Sequence, residues 1–300
     1  MKILLTSNMT YRGFPEMSHW YVHQPLKELG HEVLWYDTVN PENKDYTKLI
    51  ETFKPDLIFC CFTGDRNITP YEPWEEIKKE TDSGRTKTFN WFCDDTWRFD
   101  TFSKKTCNHF TVCSTPEPKY IHRYHEIGYD NVILGNWHAN SCYYPRINFE
   151  DKNIDVCFIG NLTPSRRLFL DSTPIPVTNI FGIPTEEVFE THSRTKIGIN
   201  FSTNDNDPFK KTQMKQRIFE VPAGGGMLMT EYHDGIEEFY EPDKEIVTFG
   251  SQKEFYQKMT FLLSKPKIVE AIASNGYKRF IKEHDSKIRL HNILNKIKEF

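Results

Sequence analysis

The sequence of 300 residues lacks the features that most quickly assign a protein to a class. It has no apolar run near the roughly 18 residues that span a bilayer, so we expect a soluble or peripheral protein. Its seven cysteines include no C-x-x-C spacing and lie mostly in apolar runs. This predicts buried thiols in a reducing, cytoplasmic compartment. A net charge of -4 provides no global basic field for a polyanion.

Two kinds of catalytic pattern are missing as well. No His, Cys or Asp cluster has the spacing of a zinc site, and no G-x-S-x-G or Ser/His/Asp order supports hydrolase chemistry. With 38% hydrophobic and 27% charged residues, the chain has an ordinary globular composition, which excludes a disordered or low-complexity protein.

The length fits two domains of about 150 residues each. Short β-rich runs alternate with helical stretches, which predicts an α/β class with parallel sheets covered by helices. The expected strands are 2–7, 31–37, 56–62, 86–95, 110–115 and 131–137, then 154–161, 176–182, 196–202, 226–231 and 245–250. Residues 138–153 lack periodicity and look like a linker. We therefore expect two Rossmann-like, doubly wound domains facing across a cleft, 1–145 and 146–300.

The strongest local signal is the segment RIFEVPAGGGMLMT, in which a helix runs into three glycines and then a strand. Successive glycines allow close approach to phosphate oxygens. The acidic side chain could accept hydrogen bonds from a ribose, and the arginine could pair with a diphosphate. A helix C-cap with a surface ion pair would explain the same residues. The candidates are Arg217, Glu220, Gly224, Gly225, Gly226 and Thr230.

A second signal, FIGNLTPSRR, places a glycine turn and a helix start after the first strand of the second half. Helix N-termini and guanidinium groups hold anions, so we expect both signals to share one edge of the sheet. A plain N-cap at Ser165 and a solvated arginine face remain as the alternative. The candidates here are Gly160, Asn161, Arg166 and Arg167.

Together these segments, with the helix ending near His284 and Arg289, resemble the C-terminal domain of group 1 glycosyltransferases of the GT-B fold. The resemblance is specifically to the spore-maturation-protein-like branch, and it covers the first half only in outline. The resemblance implies that 1–145 is the acceptor domain and that 146–300 is the donor domain. The implied donor is a nucleotide-diphosphate sugar, with a UDP-sugar as the first expectation. Glu220 then matches the acid that binds the donor ribose, and Arg166 or Arg167 the cation at the diphosphate. One departure is Thr212, where many group 1 enzymes carry a second glutamate.

The resemblance further implies a hexosyltransferase-type reaction that retains the anomeric configuration, needs no metal, and uses Arg166 and Arg217 to stabilise the leaving diphosphate. Asp94 and Asp95 follow an apolar strand as divalent-cation ligands do in GT-A enzymes, yet they lie in the first half, so we place them near the acceptor. If the reaction inverts instead, His19, Asp94 or Asp95 would supply the base. A capped strand end and a surface histidine are the plainer interpretations.

Two tryptophans, Trp91 and Trp97, flank the acidic pair and are the expected acceptor-binding aromatics, although core packing explains most aromatic residues. The acceptor itself stays open among polysaccharide, wall polymer, protein, small metabolite and modified DNA base. The missing acid at Thr212 motivates a second hypothesis, a catalytically silent GT-B module that binds glycan or nucleotide. A nucleotide-sugar epimerase on the same fold is a third.

Overall fold

The computed structural model describes residues 1–11, 13–42, 44–205, 207 and 209–300. Within them the chain forms two compact units. Unit 1 comprises Met1–Asn136 together with Ser286–Phe300, and unit 2 comprises Trp137–Asp285. This division differs from the boundary at 145/146 expected from the sequence, because the segment 137–145 belongs to unit 2 and the last fifteen residues return to unit 1.

Unit 1 contains a six-stranded parallel sheet in the order β4-β1-β5-β6-β7-β8. Its strands run apolar because helices cover both faces of a parallel sheet. The strands and a small antiparallel hairpin are β1 (Lys2–Ser7), β2 (Thr10–Tyr11), β3 (Phe14–Pro15), β4 (Glu32–Asp37), β5 (Leu57–Cys60), β6 (Lys87–Trp91), β7 (Val112–Thr115) and β8 (Val132–Leu134). All six sheet strands were predicted from the sequence, whereas the β2-β3 hairpin was not.

The helices of unit 1 are short. They are α1 (Gln24–Glu28), α2 (Tyr46–Phe53), α3 (Trp74–Ser83), α4 (Asp95–Arg98), α5 (Lys104–Thr106) and α6 (Tyr120–Glu126), with π-helical turns at His19–His23 and Phe99–Ser103 and a 3-10 turn at Cys107–His109. Between the hairpin and β4, the chain forms a π-helical turn that runs directly into α1. Pro25 lies in the first turn of α1, where a missing N–H leaves no helical hydrogen bond unmade.

Unit 2 contains a five-stranded parallel sheet in the order β10-β9-β11-β12-β13. Its strands are β9 (Ile154–Ile159), β10 (Thr178–Ile180), β11 (Thr195–Asn200), β12 (Met227–Glu231) and β13 (Val247–Phe249). Its helices are α7 (Pro164–Asp171), α8 (Thr185–Arg194), α9 (Arg217–Ala223), α10 (Gln252–Leu263) and α11 (Pro266–Glu283), with 3-10 turns at Ser141–Tyr143, Phe149–Asp151 and Ile236–Glu238. The chain then returns to unit 1 as α12 (Ser286–Glu299). Among the described residues, no helix is long and apolar enough to span a membrane.

The strand order fixes where each unit can hold a ligand. Counted along the chain, the five strands of unit 2 follow the order 2-1-3-4-5, the doubly wound arrangement in which the first and third strands meet at the switch point. That point lies between β9 and β11, and in unit 1 the corresponding point lies between β1 and β5. Ligands bind outside the carboxyl ends of the strands at such points, so polar side chains there are the first to consider.

Candidate functional site

Arg217 lies at the switch point of unit 2. As the first residue of α9 it donates from Nε to the carbonyl of Ile159, the last residue of β9, and from Nη1 to Oδ1 of Asn200, the last residue of β11, at 2.7 Å. Burial and the nearby Arg166 lower the pKa of its guanidinium to about 10, while Glu220 opposes that shift. A buried cation close to a second cation forms a strong site for an anion.

Two glycines allow this approach. At Gly160, just after β9, an added Cβ would lie 2.7 Å from Arg217 Nη2, and φ is +155°. At Gly198 in β11, an added Cβ would lie 2.5 Å from a Val221 methyl carbon, so α9 can pack directly on the strand. The missing side chains are what let the helix bring its arginine to the strand ends.

Arg166 reaches the same edge from α7, and its neighbour does not. Its guanidinium donates to the carbonyls of Asn161 at 3.1 Å and Thr203 at 3.2 Å, and its Nε lies 3.6 Å from a carboxylate oxygen of Asp205. Arg167 is exposed, and within the described part of the chain its side chain makes no hydrogen bond or ion pair. Of the two arginines that the sequence left open, Arg166 is therefore the one whose side chain lies at this edge.

Asp205 explains the serine of the predicted helix start. Its carboxylate accepts hydrogen bonds from the hydroxyls of Thr163 and Ser165. Desolvation would raise its pKa, but these hydrogen bonds and Arg166 lower it below the ordinary aspartate value. Ser165 thus holds a carboxylate beside Arg166 and does not cap α7.

Glu220 lies one turn after Arg217 on α9 and is only 4% exposed. Its carboxylate is 3.8 Å from Nε2 of His192, a buried histidine at the end of α8. Among the residues described, neither ring nitrogen of His192 has a hydrogen-bond partner. Burial, Arg217 and Lys152 lower the pKa of His192 to about 3, so the ring is neutral at physiological pH. The acid predicted to bind ribose therefore has a neutral imidazole next to it.

Gly224, Gly225 and Gly226 lie elsewhere. They connect the end of α9 to the start of β12, so they are at the amino end of the strands, opposite the edge that holds Gly160. Side chains at Gly224 and Gly226 would meet the backbone of His192 and Thr195 at 2.7 and 2.8 Å. The expectation that both anion-binding signals share one edge therefore holds for Arg217 and is wrong for the three glycines. These glycines form a close-packed turn, as the plainer interpretation held.

Sequence reasoning missed several polar residues that end the central strands. Asn200 Nδ2 donates to Oγ1 of Thr230 at 2.9 Å, so the predicted donor residue Thr230, fully buried, acts by holding the amide that holds Arg217. Glu231 accepts from the backbone N–H and hydroxyl of Thr203, both at 2.7 Å. A cavity of about 140 Å³ at this edge is lined by Ser165, Arg166, Phe169, Phe201, Thr203, Asp205 and Glu231. Polar residues directly after apolar strands were the signal available.

In unit 1, the adjacent acids Asp94 and Asp95 differ in burial. Asp95, at the start of α4, is fully buried and accepts from Ser103 Oγ at 2.6 Å and Tyr124 Oη at 3.0 Å. Burial raises its pKa to about 6. Asp94 precedes α4 and is partly exposed. The Asp95 carboxylate is therefore committed to the interior, and Asp94 is the partly exposed acid of the pair.

The other acceptor-side candidates differ in exposure. Trp91 ends β6, is 6% exposed and packs edge-on against Phe59, which favours its interpretation as core. Trp97 in α4 is 43% exposed. His19 begins the π-helical turn after the hairpin, and its ring stacks over Trp35 with centroids 6.1 Å apart.

One carboxylate of unit 1 was not singled out from the sequence. Glu16 follows the hairpin after β1 and accepts from the backbone N–H of Ser18 at 2.6 Å. Burial raises its pKa above the ordinary glutamate value. A carboxylic acid with a raised pKa next to the switch-point strand is a candidate for proton transfer. The surrounding sequence, GFPEMSHW, contains no motif that predicts this role.

Part of the chain matches a known protein family. Residues 148–295 match the family model described as glycosyl transferase-like. No curated protein matches the sequence.

Solved structures resemble the whole chain at low sequence identity. The Anabaena protein HepE, solved with UDP and glucose, has a TM-score of 0.70 at 12% identity, with 100% of both chains covered. The sucrose-phosphate synthase of Thermosynechococcus elongatus has a TM-score of 0.68 at 10% identity, with 99% of both chains covered. T4 phage BGT, solved with UDP and Mn²⁺, has a TM-score of 0.66 at 13% identity, with 100% of both chains covered.

The fold is therefore mixed α/β with two parallel sheets, of the GT-B glycosyltransferase type. The family match over the second half and this fold together support a glycosyltransferase. The spore-maturation-protein-like branch expected from the sequence is not confirmed by the family match.

Proposed function

We propose that this protein transfers a sugar from a nucleoside diphosphate to a hydroxyl acceptor, with retention of the anomeric configuration and without a metal. The observation that carries the proposal is the position of Arg217, which spans the ends of β9 and β11 at the switch point of unit 2. Arg166 joins it at the same edge, and two guanidinium groups suit the charge of a diphosphate.

The donor fits this edge in parts. The diphosphate lies against Arg217 and Arg166, next to the bare backbone of Gly160. Glu220, one helical turn further along α9, accepts the ribose hydroxyls. A UDP-sugar is the proposed donor, since similar structures such as HepE and T4 phage BGT were solved with UDP.

In the reaction, the bond between the anomeric carbon and the diphosphate oxygen breaks, and a bond to the acceptor oxygen forms. The electron pair leaves on the diphosphate, whose charge the two arginines stabilise, and the acceptor proton leaves with a base. In the retaining reaction the departing diphosphate oxygen is that base. For inversion, Asp94, His19 and Glu16 are the candidates in unit 1.

The acceptor is proposed to bind at the carboxyl edge of the unit 1 sheet, where such folds hold their ligands. The exposed ring of Trp97 offers an apolar face for a sugar or another planar group.

The test measures sugar release and transfer from a panel of UDP-, GDP-, ADP- and TDP-sugars by wild type and by Arg217→Gln. We expect turnover with one donor and a fall in kcat/KM of about 100-fold or more in the variant, comparable to removing one preorganised donor from an oxyanion site. The matched control is Arg194→Gln, an exposed arginine of α8 bonded to Asn153, which should leave kcat/KM unchanged.

Two outcomes count against the proposal. Wild-type turnover that survives Arg217→Gln would place the donor elsewhere. Donor binding without any turnover across acceptors would favour the catalytically silent module, for which the observation is Thr212: its hydroxyl lies 2.9 Å from His233 Nδ1 where many group 1 enzymes have an acid.

A further inference from the structure

A second cavity lies at the amino end of the unit 2 sheet. It measures about 270 Å³, and its lining includes Arg146, Lys152, Gly225, Glu270 and Tyr277. Lys152 precedes β9 and Gly225 precedes β12, so this cavity is at the opposite end of the strands from Arg217. It is separate from the proposed donor site.

Lys152, which lines this cavity, is a buried cation that has no carboxylate counter-ion among the described residues. Lys152 is 3% exposed, and its Nζ donates to the carbonyls of Ser193 and Gly224 at the ends of α8 and α9. Within the described residues, no carboxylate lies within 4 Å of that Nζ. Removing an ammonium group from water without a paired anion is unfavourable. Burial and the field of Arg146 accordingly lower the pKa of Lys152 to about 8.

A second cation lines the same cavity. The guanidinium of Arg146 lies over the ring of Tyr277, 3.9 Å from its centroid, which fixes its orientation while leaving its N–H groups for another partner. In the part of the chain that the structure describes, Arg146 has no carboxylate within 4 Å either. Two cations that repel each other across one cavity are both stabilised by an anion between them.

The glycine segment singled out in the sequence keeps this cavity open. An added Cβ at Gly225 would lie 3.9 Å from Lys152 Nζ, and φ at this residue is +70°. A side chain here would cover the ammonium group and would strain the backbone. The N–H of Gly225 already donates to the carbonyl of Pro222, so the anion would be held by side chains and not by a backbone cradle.

We propose that this cavity binds a small molecule carrying an oxyanion, a phosphate or a carboxylate, with Lys152 and Arg146 as its cationic ligands. Glu150 and Glu270 also line the cavity, and they accept hydrogen bonds from hydroxyl groups on the rest of the ligand. A sugar phosphate has this combination of groups, and the volume of about 270 Å³ is near the lower end of the range for ligand pockets.

The first experiment is calorimetric titration of the full chain with sodium sulfate and with glucose 6-phosphate at pH 8 and pH 6. Sulfate does not titrate in this range, so any proton taken up belongs to the protein. Because the anion favours the charged lysine, we expect uptake of about half a proton at pH 8 and almost none at pH 6. Tighter binding of glucose 6-phosphate would identify a phosphorylated metabolite, and equal binding would identify the free ion.

Variants then locate the site. Arg146→Gln, at an exposed position, should weaken binding about tenfold or more while the protein stays folded. Lys152→Met should abolish the proton uptake. Arg217→Gln, at the opposite edge, should leave the proton uptake at pH 8 unchanged, because the pKa of Arg217 is about 10 and its guanidinium is already charged.

Three results would overturn the proposal. They are no binding of either ligand, binding without proton uptake at pH 8, and binding lost in Arg217→Gln but kept in Arg146→Gln. The first two would leave Lys152 as a cap of two helix ends. The third would assign the anion to the donor site. Failure of the proposed transferase function would affect none of these readouts.

Discussion

Arg217 and Asn200 form the contact that joins helix α9 to the end of strand β11, with Nη1 and Oδ1 2.7 Å apart. The same amide donates to Thr230 at 2.9 Å. A relay of three side chains thus sets the direction of the guanidinium group. The position of the proposed diphosphate site depends on an amide that no recognisable motif contains.

Removing this amide should weaken donor binding. Asn200→Ala leaves Arg217 without one of its two acceptors, and hydrogen bonds to charged groups contribute about 1.5–3 kcal/mol. We expect UDP affinity to fall about 10- to 100-fold, measured by calorimetry. Asn200→Asp keeps an acceptor for Arg217, but it cannot donate to Thr230 and it places a negative charge beside the diphosphate, so it should lose affinity as well. Equal affinities in wild type and Asn200→Ala would show that Arg217 is held without it.

A methyl group at Gly160 should displace the same guanidinium. The Cβ of Gly160→Ala would lie 2.7 Å from Arg217 Nη2, so we expect loss of most UDP affinity. Gly182→Ala is the control, because Gly182 also has a positive φ, +73°, but no atom lies within 4 Å of an added Cβ. If both variants lose UDP affinity to the same extent, backbone strain and not the position of Arg217 determines the affinity.

Stability should depend on pH through Asp95. Burial raises the pKa of its carboxyl group to about 6, so the folded state holds a proton that the unfolded state releases near pH 4. The free energy of unfolding therefore contains a contribution that is present below pH 4 and is lost as the pH rises through 6. Asp95→Asn removes this loss.

Urea unfolding at pH 4 and pH 7 measures the effect. A shift of about two units corresponds to about 3 kcal/mol, so the variant should gain roughly that much relative to wild type between the two pH values. A constant difference would mean that Ser103 and Tyr124 stabilise the ionised carboxylate as well as the neutral acid.

Metal removal should leave the reaction unchanged. In the proposed mechanism Arg166 and Arg217 neutralise the diphosphate, and a divalent ion has no necessary role. Transfer rates with EDTA and with added Mg²⁺ or Mn²⁺ should agree within experimental error. A rate that falls with EDTA and recovers with one ion would contradict this part of the account and would direct attention to Asp94.

The sequence predicts much of the fold because its strands are apolar runs at regular intervals. Ten of the eleven strands of the two large sheets lie within predicted segments, and β11 begins one residue before its segment. The hairpin β2-β3 escaped because two-residue strands have no detectable periodicity. The return of α12 to unit 1 escaped as well, since a helical pattern does not reveal which unit its apolar face meets.

The site was predictable only where residue type and position agree. Arg217 and Arg166 follow from charge near strand ends. Gly224–Gly226 were assigned to the wrong edge, although the order helix, glycine, strand itself places them at the amino end of β12. Asn200 could not be weighted, because a polar residue after a strand is common and only the contact with Arg217 gives it meaning.

The proposed function depends on the binding of the donor diphosphate by Arg217. Comparing the affinities for UDP and UMP measures this interaction directly. Calorimetric titration of both nucleotides into wild type and Arg217→Gln isolates the second phosphate. We expect wild type to bind UDP at least about tenfold tighter than UMP, and we expect Arg217→Gln to lose most of this preference. A preference for UDP that is the same in both proteins would contradict it.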